Sequence, residues 1–357
     1  VRRRRFRVKT RQSVNSELAV TEFVISRMFM SQRYLITGGA GFIGSHLAEA
    51  LIHGGHTVYV LDDESTGTRE NLAAIIASPN LKFVPGTIMD GAVLSRLVGT
   101  CNHVIHLAAA VGVKYILDNP LASIMTNVVG TEHVLRYCAE FEKPLFLAST
   151  SEVYGLQTKA PLREDDYCVL GATSVSRWSY ACSKALDEFM ALAYHHKGTF
   201  PVTIARLFNT VGPRQSAAYG MVIPRLVDQA LAGEPLTVFG DGSQTRTFTH
   251  VSDVVTAITK LLDLPASSDH AGQVYNIGGT EEISILQLAH RIKTLTASSS
   301  PIQMIAYDKV YNKNFEDMPR RVPDITKLNK AINYTPQLTL DAILQDVIRD
   351  RQGRLTS

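Results

Sequence analysis

No run of about 18 apolar residues occurs in the 357-residue chain, so no membrane-spanning helix is expected. Cysteine is scarce. Cys101, Cys138, Cys168 and Cys182 show no close pairing, which argues against a metal site or a disulfide framework and fits a reducing, cytoplasmic setting. Repeats and low-complexity tracts are missing after residue 30. An excess of positive charge is also missing from the body of the chain. The net charge is +3, but residues 1–30 alone carry +6, which leaves −3 for the remainder. A mildly acidic body gives no ground for nucleic-acid binding. With 45% apolar and 19% charged residues, the composition is globular, enough for two domains or one large one.

The first 30 residues form a basic extension that reads as disordered. An Arg run precedes Leu18–Met30, which Glu22 and Arg27 make too charged for a signal-peptide core. The stretch fits a transit peptide, a basic arm, or upstream sequence translated ahead of a start at Met28 or Met30. The last is favoured, because these methionines lie just before the first clear strand.

From Arg33 the pattern alternates between short apolar runs and longer amphipathic segments. Strands are expected at Tyr34–Thr37, Thr57–Leu61, Leu81–Pro85, His103–Leu107, Leu145–Ser149 and Val202–Leu207. Helices are expected at Ser45–His53, near Ala92–Val98, over Asn119–Glu142 and over Trp178–His195. The alternation predicts an α/β fold with a parallel sheet covered on both faces. Later, Val274–Ile277 reads as a strand and Ser284–Gln287 as a capping box opening a helix, so a smaller domain draws on the C-terminal half.

Gly38, Gly41 and Gly44 follow the first strand directly, in the run Thr37–Gly44. Glycines here permit a tight turn and let backbone N–H groups reach a pyrophosphate. The helix beginning near Phe42 and Ile43 points its positive end at the same charge. Asp62 ends the second strand at the spacing where a carboxylate bonds adenosine ribose hydroxyls and repels an added phosphate, which favours NAD over NADP. Ile88 falls near the end of the third strand, at the adenine side. His106–Ala110 ends the fourth, where small side chains let the backbone of Leu107, Ala108 and Ala109 approach the cofactor.

Tyr180 and Lys184 are four residues apart, on one face of a helix. The ammonium favours phenolate, and a phenolate takes a proton from a sugar hydroxyl while hydride leaves for the cofactor. Thr150, in Ser149-Thr150-Ser151-Glu152 at the end of a strand, is placed to donate to the same hydroxyl.

These segments, with Arg206–Asn209, Gly212–Arg214 and Arg246–Asp253, resemble the extended short-chain dehydrogenase/reductase family of NAD-dependent nucleotide-sugar epimerases, dehydratases and decarboxylases, from about Arg33 to Asp350. The resemblance implies a Rossmann-type doubly wound parallel sheet with a smaller C-terminal substrate domain, and a homodimer built through two long helices. It divides the chain into a cofactor part at 31–208 and 236–278 and a substrate part at 209–235 and 279–350. It makes Thr150, Tyr180 and Lys184 catalytic, gives Lys184 the nicotinamide ribose, and assigns the substrate diphosphate to Asn209 and Arg246, with Arg214 nearby. Thr87 departs from the pattern, since many relatives carry Asp there.

The first step implied is oxidation at sugar C4. Thr150-Ser151-Glu152 lacks the Asp-Glu pair of many 4,6-dehydratases and resembles UDP-glucuronate decarboxylases, although GDP-mannose dehydratases share the run. Phe315–Asp324 resembles the decarboxylase loop that places a catalytic arginine, by position Arg321; Trp178 resembles that branch too. Oxidising C4 of a glucuronate makes a β-keto acid, which loses carbon dioxide. Arg321 would bind the carboxylate, while Ser151 and Glu152 would manage protons at C5. The expectation is a UDP-glucuronate decarboxylase giving a UDP-pentose. UDP-glucuronate or UDP-glucose 4-epimerisation is the alternative, GDP-mannose dehydration a weaker one. A non-enzymatic NAD-sensing protein would be expected to have lost Tyr180 or Lys184, and both are present.

Overall fold

Seven short apolar runs become one sheet in the computed structural model, which describes residues 31–217, 221–265, 269–310 and 316–356. The basic extension and Phe315 lie outside the described residues. The strands are β1 (Arg33–Thr37), β2 (Thr57–Asp62), β3 (Leu81–Pro85), β4 (His103–His106), β5 (Leu145–Thr150), β6 (Val202–Leu207) and β7 (Gln273–Ile277). Their order is β7-β6-β5-β4-β1-β2-β3, every pair parallel. All four residues of β4 are buried, as expected for a strand covered on both faces. The order reverses between β1 and β4, which opens a crevice at their C-terminal ends.

One face packs on helix α1 (Phe42–His53) and helices Val251–Leu262 and Thr326–Ile332. The other packs on α2 (Gly91–Thr100), α3 (Gly130–Glu140) and α4 (Trp178–His196). Asp90 caps α2 by accepting from the N–H groups of Ala92 and Val93. The helical region expected over Asn119–Glu142 forms from Pro120 to Glu140, with a π turn inside it. Val113–Asp118 ends before Pro120, Pro120–Ile124 follows, and a π turn at Met125–Val129 leads into α3. The π turn carries Asn127, whose side chain accepts from the Ala110 N–H at 2.8 Å and donates to its carbonyl at 3.3 Å. The extra residue in that turn fits a helix diverted to hold the chain after β4.

A second core gathers residues between Val211 and Ile348, including helices Val222–Ala232, Ile285–Leu295 and Leu340–Thr356. Its boundaries differ from those expected. Leu236, Val238 and Phe248 pack here rather than with the sheet, because strand Leu236–Phe239 pairs with Ile302–Ile305. Leu328 and Ile332 pack back onto the large sheet. The capping box forms as read, with Ser284 and Gln287 bonded reciprocally. Strand Thr245–Thr247 runs antiparallel to Glu282–Ser284 and parallel to Arg320–Arg321, and its register sets Arg246 directly beside Arg321. Among the described residues no helix is long and apolar enough to cross a membrane.

Candidate active site

The glycine run turns between β1 and α1 as a close-packed cradle. Gly38 has φ +72, and a Cβ there would lie 2.7 Å from the Ala108 nitrogen. A Cβ on Gly44 would lie 2.3 Å from the Gly38 carbonyl oxygen. The first turn of α1 has no side-chain cap and no acidic residue, so its N–H groups face the crevice without an internal anion. Asp62 closes the β2 side; its carboxylate accepts from the Ala40 N–H at 2.9 Å and the Glu64 N–H at 2.8 Å. Burial raises the proton affinity of Asp62, while those two N–H groups oppose the rise. A cradle of this shape, with a carboxylate at the end of β2, fits a dinucleotide. Ile88 lies at its edge, packed against Gly130.

Tyr180 and Lys184 rise from the first two turns of α4, and the Thr150 hydroxyl at the end of β5 hydrogen-bonds the phenol. Burial, then the charges of Glu152 and Asp187, push the Tyr180 pKa well above the usual phenol range. Lys184 meanwhile donates to Asp187 at 2.8 Å.

Beyond Thr150 the site becomes a buried cluster of three guanidiniums and two carboxylates. Glu152 accepts from Arg321 at 2.5 Å through one oxygen and from Arg177 at 3.3 Å through the other. Asp317 accepts from Arg246 at 2.9 Å and from Arg177 at 3.3 Å. Burial alone would raise the pKa of Glu152, but the fields of Arg321, Arg177 and Arg246 outweigh it and hold the carboxyl at about 2. Arg246 is pushed down to about 10, by burial first and then by Arg321 alongside it. The Arg321 Nη1 also reaches the Ser151 hydroxyl at 3.4 Å.

Every site residue nominated from the sequence lines one cavity of about 590 Å³, a size typical of small-ligand sites. Three of them are engaged differently from the expectation. Arg214 is turned onto α1, donating to Glu49 at 2.5 Å and Ser45 at 3.4 Å. The Asn209 amide donates to the Thr247 carbonyl. Arg246 donates to the Thr245 and Met318 carbonyls as well as to Asp317. Arg177 and Asp317 also line the cavity, and neither was singled out from the sequence. For Arg177 the available signal was its position three residues before Tyr180, at the cap of the same helix. Trp178 is tied to the far loop, donating to Glu316 at 2.8 Å.

A family model described as GDP-mannose 4,6 dehydratase matches residues 35–347. A UDP-N-acetyl-alpha-D-glucosaminuronate decarboxylase of Bacillus cytotoxicus is 42% identical over 321 residues, 90% of this chain and 98% of that protein. UDP-glucuronic acid decarboxylase 1 of Arabidopsis thaliana is 33% identical over 324 residues, 90% of this chain and 70% of that protein. Among solved structures, a dTDP-glucose 4,6-dehydratase of Streptomyces venezuelae with NAD bound is similar at a TM-score of 0.81, with 30% identity over 91% of this chain and 98% of that one.

Proposed function

The chain belongs to the GDP-mannose 4,6-dehydratase family of extended short-chain dehydrogenases/reductases, and from that membership we propose that it is an NAD-dependent decarboxylase of a UDP-linked hexuronate. The observation that carries the reading is the Glu152–Arg321–Arg177 cluster beside Thr150 and Tyr180. A 4-epimerase of a neutral sugar needs only Thr150, Tyr180 and Lys184. Buried guanidiniums next to them suit a substrate with its own carboxylate.

In this reading the large sheet is the cofactor part and the second core the substrate part. The N–H groups of Gly38, Gly41, Phe42, Ile43 and Gly44 hold the pyrophosphate, Asp62 the adenosine ribose, and Lys184 the nicotinamide ribose. Leu107, Ala108 and Ala109 form the wall beside the nicotinamide, and Ile88 the adenine side. When bound, NAD supplies the acceptor and later the donor of hydride at sugar C4. Thr150 orients the C4 hydroxyl and Tyr180 takes its proton. The C4 ketone makes the C6 carboxylate a β-keto acid, and its C5–C6 bond breaks with release of carbon dioxide. Arg321 and Arg177 orient that carboxylate, and Ser151 and Glu152 direct the one solvent proton that C5 must gain. Tyr180 then returns its proton to O4. Asn209, Arg246 and Arg214 serve the diphosphate side, with Arg214 leaving Glu49 to do so.

A homodimer is part of the proposal. Leu121, Met125, Leu186 and Phe189 are exposed apolar residues on helix Pro120–Ile124, the π turn and α4, an apolar face suited to a second copy. A cytoplasmic location fits four cysteines that are all unpaired.

The test is incubation with NAD and, separately, UDP-glucuronate and UDP-N-acetylglucosaminuronate, with products read by mass spectrometry and proton NMR. Loss of carbon dioxide with formation of a UDP-pentose, or its N-acetylated counterpart, is expected. A mass-neutral change at C4 would make the enzyme an epimerase and reassign Glu152 to substrate positioning.

A further inference from the structure

Arg214 belongs to a short segment that ties the cofactor helix α1 to the C-terminal helix. Its Nη2 donates to Glu49 at 2.5 Å and its Nη1 to the Ser45 hydroxyl at 3.4 Å, both on α1. The Pro213 carbonyl meets His46 Nε2, also on α1, at 3.0 Å. On the other side, the Gln215 carbonyl accepts from Arg351 of helix Leu340–Thr356 at 2.5 Å, and the Gln215 amide donates to the Thr210 carbonyl at 3.0 Å. Between these anchors Arg214 has φ +69, an uncommon conformation for a residue with a side chain. A backbone kept in that region is over-determined by its surroundings, and such residues cluster at ligand clamps and switches.

Two facts set the Arg214–Glu49 pair apart. Arg214 lines the large cavity, whereas Ser45, His46 and Glu49 do not, so its guanidinium is bonded to groups outside the cavity that the residue itself lines. The pair is also partly open to solvent, with side chains 21% and 25% exposed, where an ion pair adds little to stability. A carboxylate held so loosely is readily exchanged for a stronger anion, and phosphate oxygens match the guanidinium fork in the same bidentate way. We propose that Glu49 is an internal competitor for the substrate diphosphate: it holds Arg214 off the cavity at rest, and a nucleoside diphosphate must displace it to take the guanidinium. The inference rests on the diphosphate role given above to Arg214, and not on which sugar is attached.

Arg246, assigned to the same diphosphate, is held differently. Its side chain is 7% exposed and is matched by Asp317 and two backbone carbonyls within the buried cluster, so it is in place before a ligand arrives. Arg214 is the one of the two that has to move. The arrangement suits a reaction whose substrate and product carry the same diphosphate. A contact made equally to both lowers KM without raising kcat, and a contact that is too strong delays release of product. With Glu49 in competition, the binding energy gained at Arg214 is only the difference between two anions. The carboxylate thus sets the affinity for the nucleotide end without touching the ligand.

The experiment is a calorimetric titration of UDP into the full chain with NAD present, for the parent, Glu49→Gln, Arg214→Gln and the double variant. Glu49→Gln is expected to tighten UDP by about threefold, the fold-change to which a partly exposed ion pair converts. Arg214→Gln is expected to weaken UDP by about tenfold, as loss of a hydrogen bond to a charged group does, and adding Glu49→Gln to it should change nothing further. Glu49→Ala carries the test if the Gln variant fails to fold. UDP affinity unchanged or weakened in the folded Glu49 variant overturns the proposal, since a purely structural ion pair would alter stability alone. A tightening that persists without Arg214 also overturns it, as a general effect of charge. If Arg214→Gln binds UDP as the parent does, the diphosphate role of Arg214 has failed and the competition with it. If that variant binds weakly and Glu49→Gln does not tighten, the role stands and only the competition has failed. UDP carries no sugar, so the result does not depend on the uronate assay.

Discussion

Replacing Glu152 with Gln removes one negative charge from a buried cluster that already holds three guanidiniums against two carboxylates. The structure sets the size of the effect. A carboxyl held at about 2, where the free side chain titrates near 4.5, is favoured as the anion by about 3 kcal/mol. Its folded pKa is depressed, so this stability is complete above pH 4.5 and is lost as pH falls through about 2. Glu152→Gln should therefore unfold at lower urea concentration than the parent at pH 7, by about 3 kcal/mol in the extrapolated free energy, with the gap closing as pH falls toward the folded pKa. In the reaction the same variant should still oxidise C4, seen as transient absorbance of reduced cofactor, while carbon dioxide release slows by about a hundredfold, the lower end of the range for a proton-transfer group. Equal stability at pH 7 together with parental turnover would refute both the electrostatic account of the cluster and the assignment of Glu152 to C5.

Tyr180→Phe keeps the ring and removes the proton acceptor, so C4 oxidation should fall by at least about a thousandfold while NAD affinity by calorimetry stays within a few-fold. Gly44→Ala would place a methyl 2.3 Å from the Gly38 carbonyl; the cradle must open, and NAD binding should weaken at least about tenfold in the same calorimetric assay. Phe189 is 70% exposed on α4, and Phe189→Glu should convert the dimer to a monomer in light scattering; a monomeric parent would remove the dimer from the proposal.

The sheet was readable because parallel strands buried on both faces are written as short apolar runs. Six expected strands and the run at Val274–Ile277 all appear, within a residue or so at their ends. The glycine cradle and Tyr180/Lys184 were readable for a different reason: their chemistry requires fixed local spacing. Other features depend on contacts distant in sequence. The π turn at Asn127, whose side chain holds Ala110, is recorded by no helical periodicity. Strand Leu236–Phe239 finds its partner more than sixty residues later, so the expected division of the second core failed there. Arg246 and Arg321 become neighbours only through the register of two short strands. Asp187 reads as an ordinary helix residue until its distance to Lys184 is known.

The arginine cluster separates the competing reactions better than the catalytic helix does. In the proposed reaction Tyr180, Lys184 and Thr150 serve C4 oxidation whatever follows it, so they carry no information about the fate of the ketone. The cluster bears on the charge of the substrate, because charge in a buried site must be balanced. Arg246 is matched by Asp317 and two backbone carbonyls. Arg321 and Arg177 then share Glu152, with a longer contact from Arg177 to Asp317, and the Arg321 Nε meets no hydrogen-bond acceptor among the described residues. Holding that Arg321 donor out of water without an acceptor is costly. A neutral hexose leaves that cost in place, whereas a uronate brings the missing carboxylate to the carbon next to the one that must be reprotonated. In the proposed reaction the same contact would bear on the chemistry: a carboxylate drawing Arg321 toward itself would weaken the hold on Glu152 and raise its proton affinity. On that proposal, recognition of the carboxylate and activation of the residue beside C5 depend on one guanidinium; a UDP-glucuronate 4-epimerase would need the first and not the second.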